Sequence, residues 1–284
     1  MILGKSTFYI FCFCLKVVYY NCMKGMVTAV KVSDFLAAMD KIAPFSTAES
    51  WDNTGLLIGN INADVTGVVL ALDATEGVLQ RAASIGANLI ITHHPVIFSP
   101  VKSVTAGDIV WQAVNSGISI ICAHTNLDMA CGGVNDTLAD LFGIENRRPM
   151  LAVNEDEFYP TLGIIGEIDI PLTPHDFACF IKEKLGNGAV RYADGGQNIK
   201  TVAVCGGSGA DYFADAAAKG IDAFVTGESK HHIMLDAVRL GITYVEAGHF
   251  ETENPVMKKL AEKLISILPN ADITVYEGAD IFYA

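Results

Sequence analysis

The chain has 284 residues, of which 51% are hydrophobic and 18% charged, and its formal net charge at pH 7 is −13. This length and composition are sufficient for one large folded domain or two smaller ones. The acidic excess argues against nonspecific binding of DNA or RNA, because such binding depends on Lys and Arg neutralising phosphates. A nucleotide held through metal ions is still compatible with the charge.

The first 25 residues differ from the rest of the chain. Phe8 to Tyr20 is aromatic and apolar, and the segment contains three lysines but no acidic residue. Lys16 interrupts the apolar run, which is too short for a membrane-spanning helix. We interpret residues 1–25 as an extended, misassigned start and 26–284 as the working protein, without stable membrane insertion. A membrane-associated leader is the alternative.

After Met26, segments of helical periodicity alternate with short apolar runs. The predicted helices are Val32–Ile42, Glu76–Ile85, Asp108–Val114, Val134–Phe142, Asp176–Leu185, Tyr212–Lys219, Ile233–Leu240 and Asn254–Leu268, the last with a cap at Thr252. The predicted strands are Thr66–Leu72, Leu89–Thr92, Ile118–Cys122, Thr161–Ile168, Thr201–Cys205, Phe224–Thr226, Thr243–Glu246 and Ile273–Tyr276. This alternation predicts an α/β fold with mostly parallel or mixed sheets. The similar rhythm of its two halves predicts two lobes, with a boundary in the polar, irregular stretch 145–157.

Imidazoles and carboxylates follow three of these strands. They are His93 and His94 after Leu89–Thr92, Asp128 after Ile118–Cys122, and His249 and Glu253 after Thr243–Glu246. Ligands of open α/β sheets bind outside the carboxyl ends of the strands. Imidazole suits zinc, iron, nickel and copper, and carboxylate can bridge two ions. The pattern predicts a site for two divalent metals in the cleft between the lobes.

Each of these motifs also has a purely structural interpretation. His93 and His94 could form a polar turn before Pro95, and Asp128 could cap a helix. As metal ligands, the two adjacent histidines would serve one ion each, because successive side chains of a strand point to opposite faces. His249 and Glu253 can converge on one ion if a helical turn begins by residue 251.

Four further residues are candidates for contacts beyond the metal ligands. His124 could orient a ligand through its ring or be a core histidine. Asp52 and Asn53 could line the cleft or form a side-chain-to-backbone turn. Glu228 could face a substrate or be an ordinary residue at the start of a helix. The sequence does not identify catalytic residues.

Glycine and cysteine patterns carry less information. The glycine-rich segment 205–209 follows a strand and could hold an anion through its backbone amides, although it lacks the Lys of a phosphate loop. Seven cysteines form no Cys-x-x-Cys pair. Such an odd, unpatterned set is typical of reduced thiols and predicts a cytoplasmic protein.

Five motifs occur in an order that resembles a known family. They are Ser50–Gly59, Ile91–Pro95, Ala123–Asp128, Thr226–Glu228 and Gly248–Glu253. Together they resemble the GTP cyclohydrolase 1 type 2 homologues, also called Nif-three-like or YbgI-type dinuclear-metal proteins. The resemblance extends from about Met26 to the C-terminus, and the leader has no counterpart in the family.

The resemblance implies a two-lobed α/β fold and a toroidal homohexamer with dinuclear sites facing its interior. It assigns His93, His94, Asp128, His249 and Glu253 as ligands of two divalent ions per subunit, which could be zinc, iron, manganese or nickel. The interval from Asp128 to Thr226 is too short for the middle domain that some relatives contain.

The implied function is that of a metal-dependent hydrolase acting on a nucleotide such as GTP, because cyclohydrolase activity is attached to some members. The alternative is a non-catalytic metal-binding hexameric scaffold or metal-handling factor.

Overall fold

The computed structural model describes residues 29–154, 157–278 and 281. The proposed leader, residues 1–25, lies outside the described residues. The helices are α1 (Val32–Ile42), α2 (Glu76–Ile85), α3 (Ile109–Asn115), α4 (Thr125–Met129), α5 (Val134–Leu141), α6 (Pro174–Leu185), α7 (Phe213–Ala217), α8 (His231–Arg239), α9 (His249–Glu253) and α10 (Val256–Ile267). The strands are β1 (Gly55–Ile58), β2 (Val68–Ala71), β3 (Leu89–Thr92), β4 (Ser119–Cys122), β5 (Glu145–Ala152), β6 (Thr161–Leu172), β7 (Arg191–Ala193), β8 (Ile199–Cys205), β9 (Ala223–Thr226), β10 (Thr243–Glu246) and β11 (Ile273–Val275).

The described strands form two mixed sheets. The first has the order β1-β4-β3-β2-β11 and the second β5-β6-β8-β9-β10-β7. In the first sheet β4, β3, β2 and β11 are parallel, and β1 is antiparallel to β4. In the second sheet β8, β9 and β10 are parallel, whereas β5, β6 and β7 pair in antiparallel fashion. The predicted α/β class with two mixed sheets is confirmed.

Helices cover both faces of each sheet, which explains why the central strands are apolar throughout. On the first sheet, Val68 and Leu70 pack with α1 and α10, and the alternate residues Val69 and Ala71 pack with α2 and α3. On the second sheet, α5 and α6 cover one face, and α7 and α8 cover the other. The central strands β2, β3, β4 and β9 are therefore buried on both sides, and polar side chains follow at their ends.

The C-terminal elements return to the first sheet. Helix α10 packs on the same face as α1, and β11 pairs with β2 in parallel. The two sheets are thus not built from two consecutive halves of the chain. The segment between β10, in the second sheet, and α10, on the first sheet, therefore crosses from one sheet to the other.

Three predicted features differ from the structure. The stretch 145–152, predicted to be irregular, is strand β5, because its backbone pairs with β6. Residues 254–268 do not form one helix: α9 ends at Glu253 and α10 begins after Pro255, which has no amide hydrogen for the helical ladder. Thr252 is not a cap but lies inside α9, where its hydroxyl donates to the carbonyl of Gly248.

No helix among the described residues is long and apolar enough to cross a membrane.

Candidate metal-binding site

His93 and His94 diverge at the end of strand β3. The strand ends at Thr92, and the next two side chains turn toward the two neighbouring strands. His93 Nδ1 lies 2.9 Å from the carbonyl oxygen of Ala123, which follows β4. His94 Nδ1 lies 2.7 Å from the carboxylate of Asp73, which follows β2. In each ring, Nδ1 thus contacts a residue that follows a strand of the first sheet, which leaves Nε2 for contacts with other residues.

Helix α9 brings His249 and Glu253 to the same place. It begins after Gly248, whose φ of 90° favours glycine, and the two side chains are one helical turn apart. The Glu253 oxygen Oε2 lies 2.8 Å from His94 Nε2 and 3.0 Å from His249 Nε2. The other oxygen, Oε1, lies 3.7 Å from His93 Nε2. The Glu253 carboxylate therefore faces different histidines with its two oxygens.

The ring of His93 is fully buried, and its Nε2 atom has no hydrogen-bond partner. A carbonyl oxygen only accepts hydrogen bonds, so the contact with Ala123 assigns the ring hydrogen to Nδ1. Nε2 then faces Asp128 Oδ1 at 3.5 Å and Glu253 Oε1 at 3.7 Å. A ring nitrogen held between two carboxylates, at more than hydrogen-bonding distance from both, has the surroundings expected of a metal ligand.

The structure brings together all five residues that the sequence predicted as metal ligands. Their donor atoms form three groups, within each of which the atoms lie within 4.8 Å of one another: His93 with Asp128 and Glu253, His94 with His249 and Glu253, and His93 with His94 and His124. Each group contains imidazole nitrogen, and two of them contain carboxylate oxygen, which zinc and other first-row metals accept as ligands. These groups could each hold a metal ion.

Opposite charges determine the protonation of this cluster. Burial by itself raises the pKa of the Glu253 carboxyl, but His93 and the other two histidines outweigh it and hold this pKa well below its usual range. Burial lowers the pKa of His94, but hydrogen bonds to Asp73 and Glu253 raise it to about 9. Burial also lowers the pKa of His249, but the neighbouring Glu253 outweighs it, and this pKa is raised. Without metal, these contacts therefore favour the negative form of the Glu253 carboxylate and the protonated form of the His94 ring.

Asp52 holds the ring of His124 and the first residue of helix α4. Asp52 Oδ1 lies 2.9 Å from His124 Nδ1, and Asp52 Oδ2 accepts hydrogen bonds from the backbone and hydroxyl of Thr125 at 3.0 and 2.6 Å. Burial raises the pKa of Asp52, but these hydrogen bonds and His124 outweigh it, and the pKa is lowered. Asn53 does not reach the donor atoms; its amide donates to the carbonyl of Ile97 at 2.5 Å.

Carboxylates orient two of the other histidines from outside. Glu228 Oε1 lies 3.3 Å from His249 Nδ1, and its Oε2 accepts a hydrogen bond of 2.8 Å from Ser208. Asp73 has the equivalent position beside His94. Sequence reasoning did not identify Asp73, although it directly follows the apolar run ending at Leu72 and thus lies at the same sheet edge.

The glycine-rich segment 205–209 does not offer the free amides that an anion site needs. The backbone amides of Gly206, Gly207 and Gly209 donate to the side chains of Asn135, Thr252 and Thr226. The expectation of an anion site is thus wrong for these three amides. The glycines instead allow close approach to the donor cluster: a Cβ atom on Gly207 would lie 2.0 Å from Glu253 Oε1.

A cavity of about 440 Å³ opens next to the donor atoms. His94, His124, Asp128, His249 and Glu253 contribute to its wall, and Trp51, Phe98 and Tyr212 also line it. This volume is within the range typical of small-molecule sites. The donor atoms are therefore accessible to a small ligand.

Comparison with known proteins finds relatives that match most of the chain. A protein named GTP cyclohydrolase 1 type 2 homolog from Clostridium perfringens (strain 13 / Type A) is 34% identical over 240 residues, covering 83% of this chain and 91% of the relative. Its namesake from Staphylococcus aureus (strain COL) is 30% identical, covering 78% of this chain and 89% of the relative.

Solved structures with the same fold include a hypothetical protein, SA1388, from Staphylococcus aureus. It superposes with a TM-score of 0.83 at 34% identity, covering 90% of this chain and all of the other. A Bacillus cereus protein related to NIF3 superposes with a TM-score of 0.81 at 25% identity, covering 90% of this chain and 99% of the other. The sequence profile of one family matches residues 30–279, which is most of the chain. The chain belongs to the Duf34/NIF3 (NGG1p interacting factor 3) family.

Proposed function

We propose that the protein is a dinuclear metal-dependent hydrolase whose substrate is a nucleotide such as GTP. The observation that supports it most directly is the position of Glu253. Its two oxygens face two separate groups of donor atoms, one with His93 and Asp128 and one with His94 and His249. A carboxylate in this position can bridge two cations and offset their repulsion. The name of the Clostridium perfringens relative points to GTP as the first substrate to test.

Bound divalent ions in such a site would acidify water and polarise a carbonyl or phosphoryl oxygen. The residues of the chain have distinct tasks. Ala123, Asp73 and Glu228 fix the orientation of the ligand histidines through their outer ring nitrogens.

His124 is the best candidate for a proton acceptor. Its Nδ1 donates to the Asp52 carboxylate, so that Nε2 of the neutral ring bears the lone pair. The ring lies beside His93 and His94, with centroid separations of 5.3 and 5.6 Å. A histidine that a buried carboxylate orients in this way is a common general base.

Metal analysis combined with a turnover assay tests the proposal. The full-length protein, loaded with zinc, manganese or iron, should release formate or another product from GTP. Asp128→Ala and His94→Ala should lower both bound metal and turnover, since each removes a donor. His175→Ala is the matched control, because this histidine contacts Tyr192 and lies outside the donor groups. Two retained ions in both donor variants would contradict the site.

Metal bound reversibly by the full-length protein, without turnover of any nucleotide under any of these metals, would contradict the hydrolase proposal and favour a metal-handling role. The toroidal homohexamer expected from the family resemblance stays a prediction, and its test is the mass of the protein in solution.

The raised histidine pKa values lead to a prediction about pH. In the metal-free protein, His94 has a pKa of about 9 in the folded state against 6.5 for an ordinary histidine. The stability that its proton contributes is present below pH 6.5 and is lost as the pH rises toward 9. Metal must displace this proton, so metal affinity should rise over the same interval.

We therefore expect the thermal stabilities of the metal-free and metal-loaded proteins to diverge between pH 6.5 and 9. Unfolding temperatures measured with chelator and with zinc at each pH would show this directly. A constant difference between the two forms would contradict the protonation that the structure indicates.

A further inference from the structure

Two large aromatic side chains are exposed at the mouth of the 440 Å³ cavity. Trp51 is 55% exposed and Phe98 is 56% exposed, and both contribute to the cavity wall. Their ring centroids lie 5.9 Å apart with an interplanar angle of 46°. Exposed aromatic rings that adjoin a cavity lined by polar groups are a usual feature of ligand sites.

Hydrogen bonds hold the loops that carry these rings. Asn53, two residues after Trp51, donates to the carbonyl of Ile97, which directly precedes Phe98. Asp52 accepts a hydrogen bond from the backbone amide of Thr125, and its other carboxylate oxygen contacts His124 Nδ1. The two rings are thus positioned relative to each other and to the donor histidines, although neither is buried.

His124 connects the aromatic pair to the donor atoms. Its ring centroid lies 6.1 Å from Trp51 and 6.3 Å from Phe98, and it lies 5.3 Å from His93. The His124 ring thus lies between the pair and His93. A molecule stacked on the pair would therefore reach the donor atoms with a group that is separated from its aromatic part by about the width of one ring. In a nucleotide, the sugar provides such a separation between base and phosphate.

We propose that Trp51 and Phe98 form a stacking platform for the planar heteroaromatic ring of the substrate, while its anionic part faces the donor cluster. The inference rests on the proposed function and narrows its substrate to a molecule that combines both parts. Stacking suits this cavity because Asp128 and Glu253 contribute carboxylates to its wall, and the face of an uncharged ring is insensitive to their charge. Aromatic stacking is also tolerant of which base is bound.

Fluorescence can test the platform because the chain has only two tryptophans, Trp51 and Trp111. Trp111 lies on α3 and does not line this cavity. In a Trp111→Phe background, the emission of Trp51 is observed alone. The zinc-loaded protein, which avoids quenching by paramagnetic metals, is titrated with GTP and separately with inorganic tripolyphosphate. We expect saturable quenching by GTP and not by tripolyphosphate.

Substitutions complete the test. By calorimetry in the native background, Trp51→Leu should weaken GTP binding by about 10-fold, the typical loss of one stacked base, with bound zinc unchanged. Trp51→Phe should retain most of the affinity, because the ring face is kept. Absent quenching, equal quenching by tripolyphosphate, or unchanged affinity of Trp51→Leu would overturn the platform.

A second copy of the chain is another possible cover for the pair. In that case, Trp51 emission without ligand would change with protein concentration, and Trp51→Leu would alter the mass in solution; either result overturns the proposal.

Failure of the hydrolase proposal is distinguished from failure of the platform by separate results. If the protein binds GTP saturably but does not turn it over, the platform is retained and the hydrolase proposal is rejected. If Trp51→Leu turns GTP over as fast as the unsubstituted protein, only the platform is rejected.

Discussion

In the proposed dinuclear site, replacing Glu253 by Gln is expected to weaken the binding of one of the two metal ions by on the order of 100-fold or more. The loss of a mere hydrogen-bond partner of a metal ligand already weakens binding by about 10–100-fold. Gln has nearly the same shape but presents an NH₂ group and no charge. Because the Glu253 oxygens face separate donor groups, one group loses an oxygen and both lose the charge that offsets the repulsion of the ions.

Glu251→Gln provides a matched control for this variant. It makes the same change of charge on the same helix, α9, but its side chain is not part of the donor groups. Calorimetric titration of metal-free protein gives the number of ions and their affinities, and thermal unfolding with chelator checks that both variants are folded. Two ions bound by Glu253→Gln with the affinities of the Glu251→Gln control would show that Glu253 is no bridge.

Gly207→Ala is expected to disrupt the same cluster from the other side. A Cβ atom there would lie 2.0 Å from Glu253 Oε1, so the carboxylate has to move away from His93. The backbone φ of +59° adds a steric penalty of about 1–2 kcal/mol for any non-glycine residue. We expect metal affinity to fall about as far as it does in Glu253→Gln.

Gly220→Ala separates the two contributions. Gly220 has a φ of +73°, and a Cβ atom there meets nothing within 4 Å. The Gly220→Ala variant should therefore have the same backbone penalty, measured as a lower unfolding temperature, but should keep its metal. If Gly207→Ala binds metal as well as Gly220→Ala does, the close approach of Gly207 to Glu253 is not required for the site.

Local patterns were sufficient for most of the fold. The strand Leu89–Thr92 and the helix Glu76–Ile85 have the predicted bounds, since apolar runs, a Thr75 cap and Gly86 in the left-handed region are signals within the segment itself. Strands β1, β5 and β7 were not predicted. All three are held by antiparallel pairing to strands elsewhere in the chain. The first four residues of β5 are polar and β7 has only three residues, so neither has the apolar run of a buried strand.

The site residues also divide into those that local patterns predict and those that they do not. His93, His94, Asp128, His249 and Glu253 could be named from the sequence because each follows an apolar strand, and because their motifs resemble a family. Of their partners, Glu228 was named only as a candidate for substrate contact or for a helix start, and Asp73 was not named. The contacts of Asp73 with His94 and of Glu228 with His249 join residues far apart in the chain, and the role of Gly207 depends on a carboxylate 46 residues away.

The sequence by itself determined that the sheets are buried on both faces and that reactive side chains lie at strand ends, since both follow from the spacing of apolar residues. Only the tertiary structure decided which strand ends face each other. Helix α10 and strand β11 return to the first sheet, and α9 thereby crosses to it with His249 and Glu253. The contact of His93 with Ala123 then fixes which ring nitrogen faces the carboxylates. Such choices depend on packing between distant segments, which no local pattern encodes.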